Sequence, residues 1–189
     1  MAEKISLTRE QYLESIRQLT ASATGLAARF NMTQLTWQPA AGERWSILEC
    51  LDHIAISNTV YLDAMQTALG DARPGPEAGV FHTAGLPSTR LAQYQEPPPS
   101  RKSFAPRKIS PRPTLNPEGI LPEFLQAMDR VTSLVTSSAS KDLNSVRFRN
   151  PLLPLLRFTV SSSLLMLAAH GRRHMWQAEQ VTHEPDFPR

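Results

Sequence analysis

Four segments of the chain carry apolar side chains at alternating steps of three and four residues, the spacing of one buried helix face. In the first segment the positions are Tyr12, Ile16, Leu19, Ala23, Leu26 and Phe30. In the second they are Ile47, Leu51, Ile54, Asn58, Tyr61 and Met65. In the third they are Phe124, Met128, Val131 and Val135, and in the fourth Val160, Leu164, Leu167, Gly171, His174, Ala178 and Val181. Four such helices predict an all-α fold, a four-helix bundle, that fills a single domain over residues 1–189.

The helix ends are marked by capping residues. Thr8 with Gln11, and Ser46 with Glu49, have the spacing of capping boxes at the starts of the first two helices. Gly70 is suited to end the second helix. The remaining predicted boundaries are a third-helix start between Asn116 and Pro122, its end at 137–141, and a fourth-helix start near Thr159.

A long proline-rich connector joins the second and third helices. Eleven of the 16 prolines lie between Pro74 and Pro122. Because proline fixes φ and lacks a backbone donor, we predict that residues 71–116 are irregular, neither helix nor central strand. We interpret the connector as an excursion over the bundle surface, and a disordered linker is the alternative. Apolar residues that can pin it are Phe81, Leu86, Leu91, Tyr94 and Phe104.

Composition excludes several classes of protein. The single cysteine, Cys50, allows neither an internal disulfide nor a cysteine-based metal site. The first 19 residues lack the uncharged apolar stretch of a signal peptide, and no apolar run approaches the roughly 20 residues that span a bilayer. We therefore expect a cytoplasmic protein without a membrane partner.

The net charge of +3 resides in the connector. Residues 71–118 contain seven Lys or Arg and four Asp or Glu, which accounts for the whole excess. A nucleic-acid-binding protein carries its basic residues on a face of its folded elements. The charge distribution therefore argues against nucleic acid as a partner.

Three histidines are candidate metal ligands. His170 and His174 are four residues apart, so their side chains lie about 40° apart on one helix face, and His174 occupies the apolar seam. Two buried imidazoles on one face suit a shared ion, although separate hydrogen bonds within the core are an equal alternative for this pair. His53 lies at the edge of the apolar arc of the second helix and can complete a three-imidazole site with open coordination positions.

Two further histidines are expected to be solvated. His82 lies in the connector and His183 at the C-terminal fringe. We expect neither to bind metal.

The two histidine segments resemble those of a known family. Residues 45–49 read WSILE and are followed by Leu51 and His53, and residues 170–177 read HGRRHMWQ. This ordered combination resembles the DinB-like, YfiT-like proteins over the second and fourth helices. The long connector is not part of the resemblance.

The resemblance implies a fold, a metal and two kinds of chemistry. It implies an antiparallel four-helix bundle, often a homodimer, with nickel, zinc or a similar divalent ion on His53, His170 and His174. Some members are transferases that use low-molecular-weight bacterial thiols, and others are described as metal-dependent hydrolases. A divalent ion with only neutral ligands favours an anionic fourth ligand, so it can activate either a thiol or water.

Other residues beside the histidines are weaker candidates for a role in the reaction. Glu49 lies one turn before His53 and can be an outer base, although its role in the capping box is the simpler interpretation. Arg173 can anchor a substrate carboxylate, whereas a surface ion pair is expected for Arg172. A metal-stabilised stress-response or binding module without catalysis is the remaining alternative, but a structural metal site would usually have a fourth protein ligand.

Overall fold

The computed structural model describes residues 3–76, 79–101 and 104–189. Its α-helices are α1 (Arg9–Arg29), α2 (Met32–Thr36), α3 (Ile47–Gly70), α4 (Gly85–Tyr94), α5 (Pro117–Ser137) and α6 (Val160–Val181). Its strands are β1 (Ser6–Thr8), β2 (Val80–His82), β3 (Arg147–Arg149) and β4 (Arg157–Thr159). They form two antiparallel ribbons, β1 with β2 and β3 with β4.

The long helices begin and end where the sequence predicts. The Thr8 hydroxyl accepts the Gln11 backbone N–H at 3.1 Å, and the Gln11 side chain accepts the Thr8 N–H at 2.8 Å. Ser46 and Glu49 form the same reciprocal pair at the start of α3, and the Thr159 side chain caps α6. Each such cap satisfies helix donors that have no partner within the helix and contributes about 1 kcal/mol.

Helices α1, α3, α5 and α6 form the predicted four-helix bundle, in which α3 and α1 each pack between α5 and α6. The Arg9 guanidinium at the start of α1 donates to the Val135 carbonyl near the end of α5 at 3.0 Å, so these helices are antiparallel. Arg44, just before α3, forms an ion pair with Glu184, just after α6, so this pair of helices is antiparallel as well.

Helices α3 and α5 run in the same direction, because Lys141, just after α5, donates to the Leu69 carbonyl at the end of α3, and Arg112 pairs with both Asp52 and Glu123 near the starts of the two helices. The antiparallel arrangement that the resemblance implies therefore does not hold for this pair.

The core is built from the predicted seams. All the predicted seam positions of α3, α5 and α6 are buried, and those of α1 are buried except Phe30, which is partly exposed. The hydrophobic periodicity therefore identified the inward face of each helix of the bundle.

The connector is more regular than the sequence predicts. The prediction of an irregular segment is wrong for residues 85–94, which form α4 and pack against α6. Pro87 is tolerated because it lies in the first turn, where backbone N–H groups have no partner within the helix. Residues 80–82 form β2, whose pairing with β1 was not predicted.

Parts of the connector belong to the core. Phe81 and Ala92 are fully buried, and Phe81 packs edge-on against Tyr12 with ring centroids 5.6 Å apart. Of the other residues proposed to pin the connector, Leu91 and Tyr94 are partly buried, whereas Leu86 and Phe104 are exposed. The described part of the connector is thus attached to the bundle mainly through β2 and α4.

Across the described ranges, no helix combines the length and apolarity that crossing a membrane requires.

Gly25 in α1 has free space around it. A Cβ added at Gly25 has no atom within 4 Å, so Gly25→Ala should stabilise the protein by about 0.5–1 kcal/mol through reduced backbone entropy of the unfolded chain.

Gly171 in α6 tests how closely α1 and α6 pack. A Cβ at Gly171 would lie 2.9 Å from Cδ1 of Leu19 in α1, so Gly171→Val should destabilise the protein by about 1–3 kcal/mol.

Urea unfolding in the presence of a chelator measures both effects without a contribution from metal. A Gly171→Val protein as stable as the wild type would contradict the close approach of α1 and α6.

Candidate metal centre

The three predicted histidines meet in the core of the bundle. His53 comes from α3, and His170 and His174 come from successive turns of α6. All three are buried, with 2%, 6% and 8% of their surface exposed. One ring nitrogen from each lies within 4.8 Å of the others, and the ring centroids are 4.3 to 4.8 Å apart.

The local sequence explains why these side chains converge. The spacing of four residues points His170 and His174 towards the same neighbour. The antiparallel packing of α3 on α6 brings His53, in the first half of α3, against His170 at the middle of α6. Gly171 has no side chain, which lets α6 lie close to Leu19 of α1 at the level of the centre.

Hydrogen bonds orient two of the three rings. Nδ1 of His53 donates to the Ile109 carbonyl at 2.5 Å, and Nδ1 of His174 donates to Oε1 of Gln177 at 3.0 Å. A proton on Nδ1 leaves the Nε2 atom of each ring with a free lone pair. Metal-binding histidines in proteins are oriented by this kind of outer hydrogen bond.

The distances within the cluster suit a bound cation. Nε2 of His53 and Nε2 of His170 are 3.0 Å apart. At this distance either Nε2–H of His170 donates to the Nε2 lone pair of His53, or one cation between the two atoms accepts a lone pair from each. A set of three imidazole nitrogens is typical of zinc, nickel and similar divalent ions, so the residues fit the group that the sequence predicts.

The rings are neutral at pH 7. Burial lowers the pKa of His53 to about 4, against the opposing effect of its bond to the Ile109 carbonyl. Burial lowers the pKa of His174 to about 3, and it also lowers the pKa of His170, with a further contribution from the two neighbouring histidines. Neutral imidazole is the form that binds metal.

Trp45 forms one wall of the centre. Its ring lies 4.8 Å from that of His53 and 5.6 Å from that of His174, measured between centroids. The indole excludes water from this side and fixes the rings by packing.

The other candidates have structural roles. Both carboxylate oxygens of Glu49 accept from the Gln38 amide, and one also closes the capping box on Ser46, so Glu49 has the capping role. Its role as an outer base stays a prediction. Arg173 donates to the backbone carbonyls of Tyr94 and Arg101, at 2.9 and 3.2 Å. Arg173 thus holds the connector, and its role as a substrate anchor stays a prediction.

The residues predicted to stay outside the centre do so. Arg172 forms an ion pair with Glu96, as predicted for it. His183 is exposed, as expected, whereas His82 is partly buried in β2 and not solvated as predicted. Among the described residues the cluster contains neither of them. Cys50 is buried on α3, where burial raises its thiol pKa, and it is not a ligand either.

The sequence pattern missed the outer partners of the ligands. Gln177 is part of the segment that carries the family resemblance, so its position three residues after His174 was an available signal. Ile109 contributes a backbone carbonyl from a 3₁₀ turn at Arg107–Ile109, for which no side-chain pattern exists.

Comparison with known proteins places the chain in a family. A family model described as the DinB superfamily matches residues 4–178. The chain is similar in structure to YfiT from Bacillus subtilis, with a TM-score of 0.59 and 14% sequence identity over 93% of this chain and 86% of that chain. YfiT is described as a probable metal-dependent hydrolase with an unusual four-helix bundle topology. No curated protein sequence matches significantly. Because the family model covers nearly the whole chain, the protein belongs to the DinB superfamily.

Proposed function

We propose that this protein holds one divalent metal ion on His53, His170 and His174 and uses it to activate a low-molecular-weight thiol for attack on an electrophilic substrate. The observation that carries the proposal is the convergence of three buried, neutral imidazoles, two of which have their Nδ1 atoms already engaged by protein acceptors. With Nδ1 protonated, the rings of His53 and His174 each keep Nε2 available as a metal ligand before any ion binds.

The ligand set supports catalysis more than a purely structural role. Among the residues described by the structure, no Asp, Glu or Cys joins the three histidines. Structural zinc sites are usually closed by four protein ligands, whereas catalytic sites keep a position for a substrate or nucleophile. Three neutral ligands also leave the charge of a divalent ion uncompensated, which favours an anionic partner.

Within the described ranges no carboxylate belongs to the histidine cluster, and this favours a thiol as the nucleophile. A bound divalent ion would supply the positive charge that stabilises the anionic form of a weak acid. A free thiol, with a pKa near 8.5, reaches that form without a base, whereas metallohydrolases commonly use a glutamate to accept a proton from water. The two acidic residues that precede His53 on α3 are otherwise engaged, Glu49 in the helix cap and Asp52 in an ion pair with Arg112.

Hydrolysis is the second candidate, and the observation that favours it is the likeness to YfiT. The same ion and the same three histidines would then activate water. The choice between nickel and zinc, the homodimer and the cytoplasmic location stay predictions.

The first prediction from this proposal is stoichiometric metal binding. We expect about one divalent ion per chain in elemental analysis of the purified protein, as for other three-histidine centres. Replacing any of His53, His170 or His174 by Ala should abolish stoichiometric binding, because the two remaining imidazoles hold the ion weakly.

His82→Ala and His183→Ala are the matched controls and should bind as the wild type does. Full metal retention in His174→Ala would exclude the site described above.

The second prediction separates thiol from water. Thiolate ligation to Co²⁺ gives a charge-transfer absorption that water does not, so titrating the Co²⁺-loaded protein with bacterial thiols should produce such a band. His174→Ala, treated identically, should not develop it.

If no thiol changes the spectrum while esters or amides are hydrolysed without thiol, the hydrolase candidate replaces the thiol proposal. If neither occurs in a metal-loaded protein, the centre serves a binding module and the enzymatic proposal is wrong.

A further inference from the structure

We propose that Arg112 is a positioning residue for the metal centre, although it lies in the connector and touches none of the three histidines. By attaching residues 107–112 to Asp52, it holds the Ile109 carbonyl against Nδ1 of His53. This inference rests on the proposed metal site and adds to it a segment of the connector that lies outside the two histidine motifs.

The anchor is an ion pair with a buried carboxylate. The Asp52 side chain is fully buried, and it accepts three bonds from Arg112: the backbone N–H at 2.8 Å, Nε at 3.0 Å and Nη2 at 2.6 Å. Arg112 also pairs with Glu123 of α5 at 2.6 Å. A buried carboxylate without its partner is strongly disfavoured, so this contact fixes the connector at one point between α3 and α5.

The position of the anchor links it to the ligand. Asp52 directly precedes His53 on α3, and Ile109 lies three residues before Arg112. Residues 109–112 of the connector therefore contact α3 at two neighbouring positions: Ile109 at the His53 ring and Arg112 at the Asp52 carboxylate. We call this segment the bridge.

The bridge between the two contacts is stiff. Pro111 lies between Ser110 and Arg112, and Pro113 follows Arg112. Proline fixes its own φ and restricts the preceding residue to extended backbone. Ser110 has that conformation, with φ −62° and ψ 149°, so a displacement of Arg112 is transmitted to Ile109 instead of being absorbed by the intervening chain.

The Ile109 carbonyl has a specific effect on His53. It keeps the proton on Nδ1 and the lone pair on Nε2, and it holds the ring plane towards His170 and His174. Without the Ile109 carbonyl, His53 could still bind the ion, but its ring orientation and tautomer would no longer be fixed. Because coupling is reciprocal, metal binding should in turn hold the 107–112 segment in place.

The test compares Arg112→Ala with Arg130→Ala. Arg130 of α5 pairs with Asp63 of α3 at 2.7 Å, away from the histidines. Asp63 is exposed, unlike Asp52, so this control matches the loss of a guanidinium between the same two helices but leaves no buried carboxylate behind. Zn²⁺ affinity is measured by competition with a chromophoric chelator. We expect Arg112→Ala to bind about 10–100-fold more weakly than the wild type, the usual effect of losing an outer hydrogen bond, and Arg130→Ala to bind as the wild type does.

Two further readouts separate positioning from general stability. The absorption bands of bound Co²⁺ should shift in Arg112→Ala and be unchanged in Arg130→Ala. Arg112→Lys should recover part of the Zn²⁺ affinity, because it keeps the positive charge.

The second readout is tryptic cleavage after Arg107 and Lys108. Bound Zn²⁺ should slow this cleavage in the wild type, and should slow it less in Arg112→Ala. The substitution removes no cleavage site, since Pro113 follows Arg112. Should Arg112→Ala not fold, Arg112→Gln is measured in its place.

The outcomes distinguish this inference from the proposed function. A wild-type protein that binds no Zn²⁺ contradicts the metal site itself. A wild type that binds Zn²⁺, with unchanged affinity and unchanged Co²⁺ bands in the Arg112 variant, overturns the role of Arg112 and leaves the metal site intact. Equal weakening in Arg112→Ala and Arg130→Ala also overturns it, because the effect would then be one of general stability.

Discussion

Three imidazoles buried side by side in an apolar helical core need hydrogen-bond or metal partners for their ring nitrogens. Desolvation keeps the rings neutral, and each neutral ring brings one donor and one acceptor into a region that offers few partners. The donors of His53 and His174 are met by Ile109 and Gln177, and Nε2 of His53 faces Nε2 of His170 at 3.0 Å. A divalent cation is the partner that satisfies all the converging lone pairs at once, so much of the surrounding structure can be understood as support for this arrangement.

The direction of the helices makes the connector necessary. Because α3 and α5 run in the same direction, the chain must return along the whole length of the bundle between them, and a short turn cannot do this. The returning chain then contributes to the centre. Arg112 attaches it to Asp52, Ile109 orients His53, and the Tyr94 and Arg101 carbonyls are held by Arg173, the neighbour of His174. A segment required by topology thus supplies part of the polar environment of the ligands.

The likeness to YfiT shows how little sequence the fold requires. At 14% identity the two proteins share the same fold over most of both chains. A helical bundle needs apolar side chains at the seam positions and caps at the helix ends, and many sequences meet these conditions. Chemistry depends on a few side chains within that frame, so the choice between thiol transfer and hydrolysis rests on what approaches the three histidines, not on the fold.

The sequence by itself determined the elements whose cause is local. Helix periodicity identified the buried faces, the capping boxes at Thr8 and Ser46 marked where α1 and α3 begin, and the spacing of His170 and His174 placed both rings on one face. Only the tertiary structure decided the features that depend on residues far apart in the chain. These are the helix at 85–94, which forms against α6 despite Pro87, and the parallel course of α3 and α5. The same holds for the outer shell of the centre, because a backbone carbonyl such as that of Ile109 has no signature in the sequence, and its role exists only where the folded chain brings it to His53.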